Sequence, residues 1–245
     1  MKKSVSIIVP CKNEEGNIFF VYKTIKNIDR KIEILFGDDH SSDGTKKEIF
    51  KLIKHNKKKN MKIKYYLAPG LNKAENVKKG FNLAKNDIFL IHDADNTVRG
   101  NAILSIVKPI EQNKCDFVNC SRLVKKRHKK AMNKPNFLGN IFFAVLFSFI
   151  LKQKITDTLC GSKAFSKIYW SKLKSDWNSF GVNDIWGDFN LLLSAKLNNL
   201  KIAEIPIYYY DRKSGKTKMN HLIYNFTRML IVTICGFFII NFKKK

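Results

Sequence analysis

Short apolar runs at residues 5–9, 32–36, 63–67, 88–91 and 117–118 alternate with amphipathic stretches of helical character, and this rhythm constrains the fold more than any other feature. Each run is too short for a helix and ends in polar residues, so it reads as a buried strand. Strands alternating with helices build a parallel α/β sheet. In an open parallel sheet, ligands settle in the crevice beyond the carboxyl ends of the strands. Here the first strand runs into Pro10-Cys11-Lys12-Asn13-Glu14-Glu15, the second into Asp38-Asp39-His40-Ser41-Ser42-Asp43-Gly44-Thr45 and the fourth into His92-Asp93-Ala94-Asp95-Asn96. Acidic groups therefore gather along one edge.

Asp93 and Asp95, one residue apart just after a strand, offer hard oxygen ligands suited to Mg²⁺ or Mn²⁺. A cation there would bridge two phosphates and neutralise charge growing on a leaving diphosphate. Asp-x-Asp alone is a weak signal, because aspartate is common in loops. The segment Ser41-Ser42-Asp43-Gly44 also reads as a plain helix cap.

The N-terminal half resembles the family 2 glycosyltransferases, which have the GT-A fold. The resemblance is carried by Ser6-Ile7-Ile8-Val9-Pro10-Cys11-Lys12-Asn13-Glu14-Glu15, by the Asp38–Thr45 segment quoted above, by Lys79-Gly80-Phe81 and by Asp93-Ala94-Asp95. It implies a Rossmann-like nucleotide-diphospho-sugar transferase architecture: a mostly parallel sheet flanked by helices, with a C-terminal membrane-associated helix. It also implies that Pro10, Asn13, Glu14 and Asp39 line the nucleoside pocket, with Lys73 in the same nucleotide-binding set. Asp93 would contact ribose or metal, and Asp95 would ligate the metal. One departure stands out: where relatives carry glycines before the helix after the third strand, this chain has Asn72 and Ala74, whose Cβ atoms restrict backbone approach to a diphosphate.

The C-terminal half extends the likeness to the dolichol-phosphate-mannose-synthase-like members and bacterial polyprenyl-phosphate glycosyltransferases. The matching segments are Asn119-Cys120-Ser121-Arg122-Leu123, Asp157-Thr158-Leu159-Cys160-Gly161-Ser162-Lys163, Gly187-Asp188-Phe189, Glu204-Ile205-Pro206-Ile207 and Arg212-Lys213-Ser214-Gly215-Lys216-Thr217-Lys218. By that likeness Arg122, Arg212 and Lys218 bind phosphates of donor or lipid acceptor, a task suited to the bidentate guanidinium. Asp188 opens the helix-like run 189–197 and is either a cap or a catalytic base. A hydroxyl acceptor would need that base; an ionised lipid phosphate would not.

Two later segments are apolar. Residues 137–151, interrupted mainly by Asn140 and Ser148, would reach only about 22 Å as a helix at roughly 1.5 Å per residue, short of a ~30 Å hydrocarbon core. An interfacial or acceptor-groove helix is expected, with core packing as the alternative. Residues 222–242 have spanning length but contain Asn225 and Arg228, which favours a tilted interfacial helix over a span. A basic tail, Lys243-Lys244-Lys245, would sit against anionic headgroups. The expected organisation is a catalytic domain over residues 1–218, with a nucleotide-sugar half (1–122) and an acceptor half (123–218), followed by a membrane-associated or transmembrane helix over 219–245.

With 245 residues, 44% of them hydrophobic, the chain can bury one substantial core. Lys and Arg total 46 against 20 Asp and Glu, a formal charge of +26 that draws anions such as nucleotide diphosphates and acidic lipid. The five cysteines form no CxxC pair, which argues against a disulfide framework or a zinc knuckle and favours a reducing, cytoplasmic setting. Met1-Lys2-Lys3 precedes a run ending at Pro10, so a buried strand rather than a secretory signal is expected. The expected reaction is inverting transfer of a hexose from a nucleotide diphosphate sugar to a polyprenyl phosphate or a growing surface glycan at the cytoplasmic membrane face. A sugar nucleotidyltransferase is the second reading, weakened because no Gly-rich phosphate loop follows the first strand. A basic nucleic-acid or membrane-surface module is the third; no nucleic-acid motif accompanies the charge, and no nucleic-acid partner is expected.

Overall fold

The structure is a computed structural model that describes residues 2–124, 132, 134–211 and 222–242. In chain order its elements are β1 (Val5–Cys11), α1 (Ile18–Ile25), β2 (Ile32–Asp38), α2 (Thr45–His55), β3 (Met61–Leu67), α3 (Lys73–Leu83), β4 (Ile88–Ile91), α4 (Ile103–Glu111) and β5 (Phe117–Ser121). They continue with α5 (Lys134–Leu151), β6 (Lys163–Ser166), α6 (Trp170–Ser175), α7 (Asp188–Leu197), β7 (Ile202–Pro206) and α8 (Leu222–Phe242). Among the described residues these strands form one seven-stranded sheet in the order β3-β2-β1-β4-β6-β5-β7. Every pairing is parallel except those of β6, which runs against both β4 and β5.

Side chains alternate across the central strand, as a period of two requires. Val5, Ile7 and Val9 of β1 face a core completed by Ile18, Val21 and Ile25 of α1 and by Ile103, Ile106 and Val107 of α4. Ile8 faces the other core, built from α3, α5, α7, α8 and an aromatic cluster. In that cluster Phe81 stacks on Phe89 at 5.7 Å and meets Phe165 edge-on at 5.0 Å.

The sheet splits where β1 outlasts β4. Pairing between them ends at Ile8 and Ile91, while β1 continues along β2 to Cys11. Pro10 stands two residues past Ile8 on the same side, where β4 has already left the sheet, so its missing N–H forfeits no ladder bond. This is the switch point between the direction of β2-β3 and that of β4, the place where an open sheet leaves a crevice.

The two apolar segments are helices with two apolar faces each. In α5 the stripe Asn140, Phe143, Ala144, Phe147 and Leu151 is buried, whereas Leu138, Val145 and Phe149 are exposed. In α8, Asn225, Met229, Val232 and Gly236 turn inward at helical spacing, while Ile223, Ile234, Phe238 and Phe242 remain exposed. Core packing and an outward apolar surface, alternatives in the sequence, therefore coexist on α5. Both helices are long and apolar enough to cross a membrane by length and composition, though about a third of each is buried in the protein (33% and 28%).

Candidate active site

The loops after β1 and β2 are laced together by their own polar side chains. The Asn13 N–H donates to Ser41 Oγ (2.9 Å), and the Ser42 N–H donates to Asn13 Oδ1 (2.8 Å). The Glu14 N–H donates to Thr45 Oγ1 at 2.7 Å, and the Glu15 N–H to Asp43 Oδ2 at 3.0 Å. Asn13 adopts a positive φ of 51°, a conformation asparagine tolerates better than most residues. Asp43 also accepts the Thr45 N–H at 3.0 Å, so the expected capping role holds alongside the lacing.

Pro10, Glu14, Asp39, Lys73, Asp93, Asp95, Arg122 and Asp188 all line one cavity of about 730 Å³. Asn13 is not on its wall; it holds the loop that presents Glu14. Arg212 and Lys218 lie outside the described residues, as do the basic segment 125–130 and the tail 243–245. Helices α5 and α8 add apolar side chains to the same cavity, Phe143 from α5 and Phe226 and Met229 from α8, beside Asn136 and Asn140.

At the acidic edge, the Thr97 N–H (3.1 Å) and hydroxyl (2.8 Å) donate to Asp95 Oδ1, a local turn that pins this carboxylate just beyond β4. Asp93 Oδ1 lies 2.7 Å from the Lys73 ammonium. Burial by itself would push the Asp93 carboxyl up, but Lys73, then His92 and Arg122, hold it below the usual carboxylate range. Burial opposes the Lys73 charge, yet Asp93, Asp188 and Asp95 raise its pKa well above the ordinary lysine value. Asp39 is buried, with Oδ2 3.1 Å from the Lys12 ammonium and Oδ1 without a partner among the described residues. Such an orphaned acceptor suits a ligand N–H or hydroxyl. The neighbouring His92 is fully buried, and burial lowers its pKa against the opposing pull of Asp93 and Asp95.

Asp188 is not the cap of α7. Asp184 fills that role, its Oδ2 accepting from the Phe189 (2.9 Å) and Asn190 (3.0 Å) N–H groups. Asp188 Oδ1 instead accepts from the fully buried Lys163 ammonium at 2.9 Å. Gly187 takes a φ of +83°, and a Cβ there would press 3.3 Å from that of Ala74. This close passage brings the α7 entry against α3, where the Ala74 N–H donates to Ile185 O at 3.1 Å. Asn72, the residue that departs from the glycine pattern, caps α3 by accepting the Glu75 N–H at 2.9 Å.

Arg122 is built into the wall by groups to which the sequence pattern assigns no role. Its Nε and Nη2 donate to Asp157 Oδ2 (2.7 Å) and Oδ1 (2.9 Å), a bidentate pair. Asn140, the polar interruption of α5, donates to the same carboxylate at 2.6 Å. Glu204 orients that segment by accepting from the Thr156 N–H at 3.0 Å and the Asn119 amide at 3.0 Å. Nη1 of Arg122 has no partner among the described residues. Asn140, one of the two polar residues that interrupt the apolar run 137–151, is the one local signal of this network.

Gly161 is the other residue that the sequence does not single out. A Cβ there would lie 2.3 Å from Asp93 Oδ2 and 2.6 Å from Lys73 Nζ, so the space is kept for that pair. Gly161→Ala is expected to push the pair aside and lower kcat/KM about 10²-fold, the scale of a 1 Å misplacement. Its melting temperature should stay within a few degrees of wild type, because the displaced atoms are the ends of flexible side chains.

The parallel sheet with one reversed strand, and a crevice at its switch point edged with carboxylates and closed by an arginine, define a GT-A glycosyltransferase. The chain belongs to glycosyl transferase family 2, whose model matches residues 6–173. It is 28% identical to the UDP-N-acetylglucosamine–dolichyl-phosphate N-acetylglucosaminyltransferase of Methanococcus voltae, over 84% of this chain and 85% of that one. It is 25% identical to the dolichyl-phosphate beta-glucosyltransferase of Dictyostelium discoideum, over 86% and 68% respectively. Glucosyl-3-phosphoglycerate synthase of Mycobacterium tuberculosis, solved with Mn²⁺ and UDP, shares the fold with a TM-score of 0.66 at 16% identity, over 96% of this chain and 80% of that one.

Proposed function

We propose that this enzyme transfers a hexose, with inversion, from a nucleotide diphosphate sugar to a polyprenyl phosphate at the cytoplasmic face of the membrane, using Mg²⁺ or Mn²⁺. The observation that carries the reading is the continuity of one cavity from the carboxylates of Asp39, Asp93 and Asp95, past Arg122, to the apolar side chains of α5 and α8. A nucleotide needs the first part and an isoprenoid chain the last. The relatives from M. voltae and D. discoideum, both named for dolichyl phosphate, support the acceptor class. Inversion is drawn from the family likeness.

Among the described residues no cluster of three or more His, Cys, Asp and Glu side chains stands ready to cage a metal. That donor set fits Mg²⁺ or Mn²⁺ held by one or two carboxylates and completed by diphosphate oxygens and water. Asp95 and Asp93 would hold it, and when bound it would neutralise charge on the departing diphosphate. The protein's own side chains do the rest. Asp39 Oδ1 takes a donor group of the nucleoside, and Lys73 with the N-terminal end of α3 receives the diphosphate. Arg122 Nη1 holds the acceptor phosphate. That phosphate is already ionised and attacks without a base, which agrees with Asp188 being engaged by Lys163. The exposed apolar stripes of α5 and α8 rest in the lipid interface, and the +26 charge draws the domain to acidic headgroups.

The test is transfer from labelled UDP- and GDP-hexoses to a short polyprenyl phosphate by purified full-length protein in detergent, followed by mass spectrometry. Expected is a lipid-phosphate-linked hexose whose formation falls at least about 100-fold on chelation and returns with Mn²⁺. A product linked only through a glycan hydroxyl would reject the phosphate acceptor and restore Asp188 as a candidate base.

A further inference from the structure

Lys73 occupies the first position of α3 and its ammonium lies 2.7 Å from Asp93 Oδ1. Its wall of the cavity also carries Asp95 and Asp188. Two other acidic groups of the cavity have cations of their own: Asp188 faces Lys163 at 2.9 Å and Asp39 faces Lys12 at 3.1 Å. Lys73 is thus the cation bonded to Asp93. Gly161 sharpens the point, since its backbone is not left-handed and needs no glycine for conformational reasons; the missing Cβ makes room for the Lys73 ammonium and Asp93 Oδ2 together.

We propose that Lys73 is an internal stand-in for the divalent cation, pairing with Asp93 while the donor is absent and passing to the donor diphosphate when metal and nucleotide bind together. The inference rests on reading Asp93 and Asp95 as the cation's ligands. The lysine stem suits this exchange: it is a point charge on a flexible four-carbon chain, and the side chain keeps 26% exposure toward the cavity. The pairing spares Asp93 an uncompensated charge in a semi-enclosed site. It also makes metal alone a poor ligand, because binding must first part the Lys73–Asp93 pair. A diphosphate offers the displaced ammonium a new partner, so nucleotide and metal tighten each other's binding, reciprocally.

The experiment is titration of Mn²⁺ alone, read by the electron paramagnetic resonance of free Mn²⁺, on wild type, Lys73→Met, Lys73→Gln and Asp95→Ala, with circular dichroism as the check on folding. Each titration is repeated with UDP and with GDP. Both Lys73 variants are expected to bind Mn²⁺ alone about tenfold more tightly than wild type, and the tightening of Mn²⁺ by nucleotide should shrink by a similar factor. Unchanged or weaker Mn²⁺ binding by both folded Lys73 variants, with Asp95→Ala losing Mn²⁺, would overturn the exchange and leave the metal site standing. Asp95→Ala binding Mn²⁺ as well as wild type would instead overturn the metal-site reading itself.

Discussion

Alanine at Asp95 is expected to lower sugar transfer by about three orders of magnitude or more while the protein remains folded, since a cation ligand stabilises charge that develops only as the glycosidic bond breaks. The side chain is partly exposed, and Thr97 donates two local bonds to it. Losing them should shift the melting temperature only slightly. Transfer rates with and without chelator, beside a melting curve, decide the matter. Undiminished transfer by Asp95→Ala in the presence of chelator would remove this residue from the reaction.

Asp157→Ala should have the largest effect on stability. Asp157 is fully buried, and its removal leaves the Arg122 guanidinium without its bidentate partner in a wall where it retains only 13% exposure. Breaking a buried pair from one side costs about 3–5 kcal/mol. At about 2–4 °C per kcal/mol for a chain of this size, the melting temperature should fall by roughly 6–20 °C. The Arg122→Met, Asp157→Leu double variant should regain much of that loss, because removing both charges leaves neither stranded, yet it should transfer no sugar if Arg122 holds phosphate. The pair also sets an acid limit. Burial pushes the Asp157 carboxyl up, but Arg122 and Asn140 outweigh it and hold the carboxyl below the ordinary range. Its stabilisation is therefore complete above about pH 4, the unfolded aspartate value, and is lost as pH falls through the lower folded value. Wild-type stability should decline below about pH 4 more steeply than that of the double variant. Equal melting temperatures for wild type and Asp157→Ala would dismiss the pair as a stabilising element.

Elements whose signal is local are legible in the order of residues alone. The runs at residues 5–9, 32–36 and 88–91 are strands because apolar residues dominate them and both faces are covered, with Ser6 and Glu33 as buried polar exceptions. Residues 222–242 match α8 at both ends. The carboxylates after β1, β2 and β4 are readable too, because parallel strands deliver their C-terminal loops to one edge. Strand β6 is not readable as a strand. Its sequence, Lys163-Ala164-Phe165-Ser166, opens on a lysine that is fully buried only because Asp188, 25 positions later, arrives to meet it. The same limit applies to Asp184, which takes the capping role from Asp188 by reaching five and six residues along the chain to Phe189 and Asn190.

Residue order alone carries the α/β class, the acidic edge, the likeness to family 2 and the presence of two helices that cannot be wholly polar on any side. Period and strand-end chemistry are properties of neighbouring residues, and they survive being read one residue at a time. Packing alone brings Asp157, itself held by Asn140, onto Arg122, sets Lys163 against Asp188, keeps room at Gly161 for Lys73 beside Asp93, and adds side chains of α5 and α8 to the same cavity. Those facts depend on groups separated by 17 to 88 positions in the chain, and their worth comes from shared burial, which no local pattern encodes.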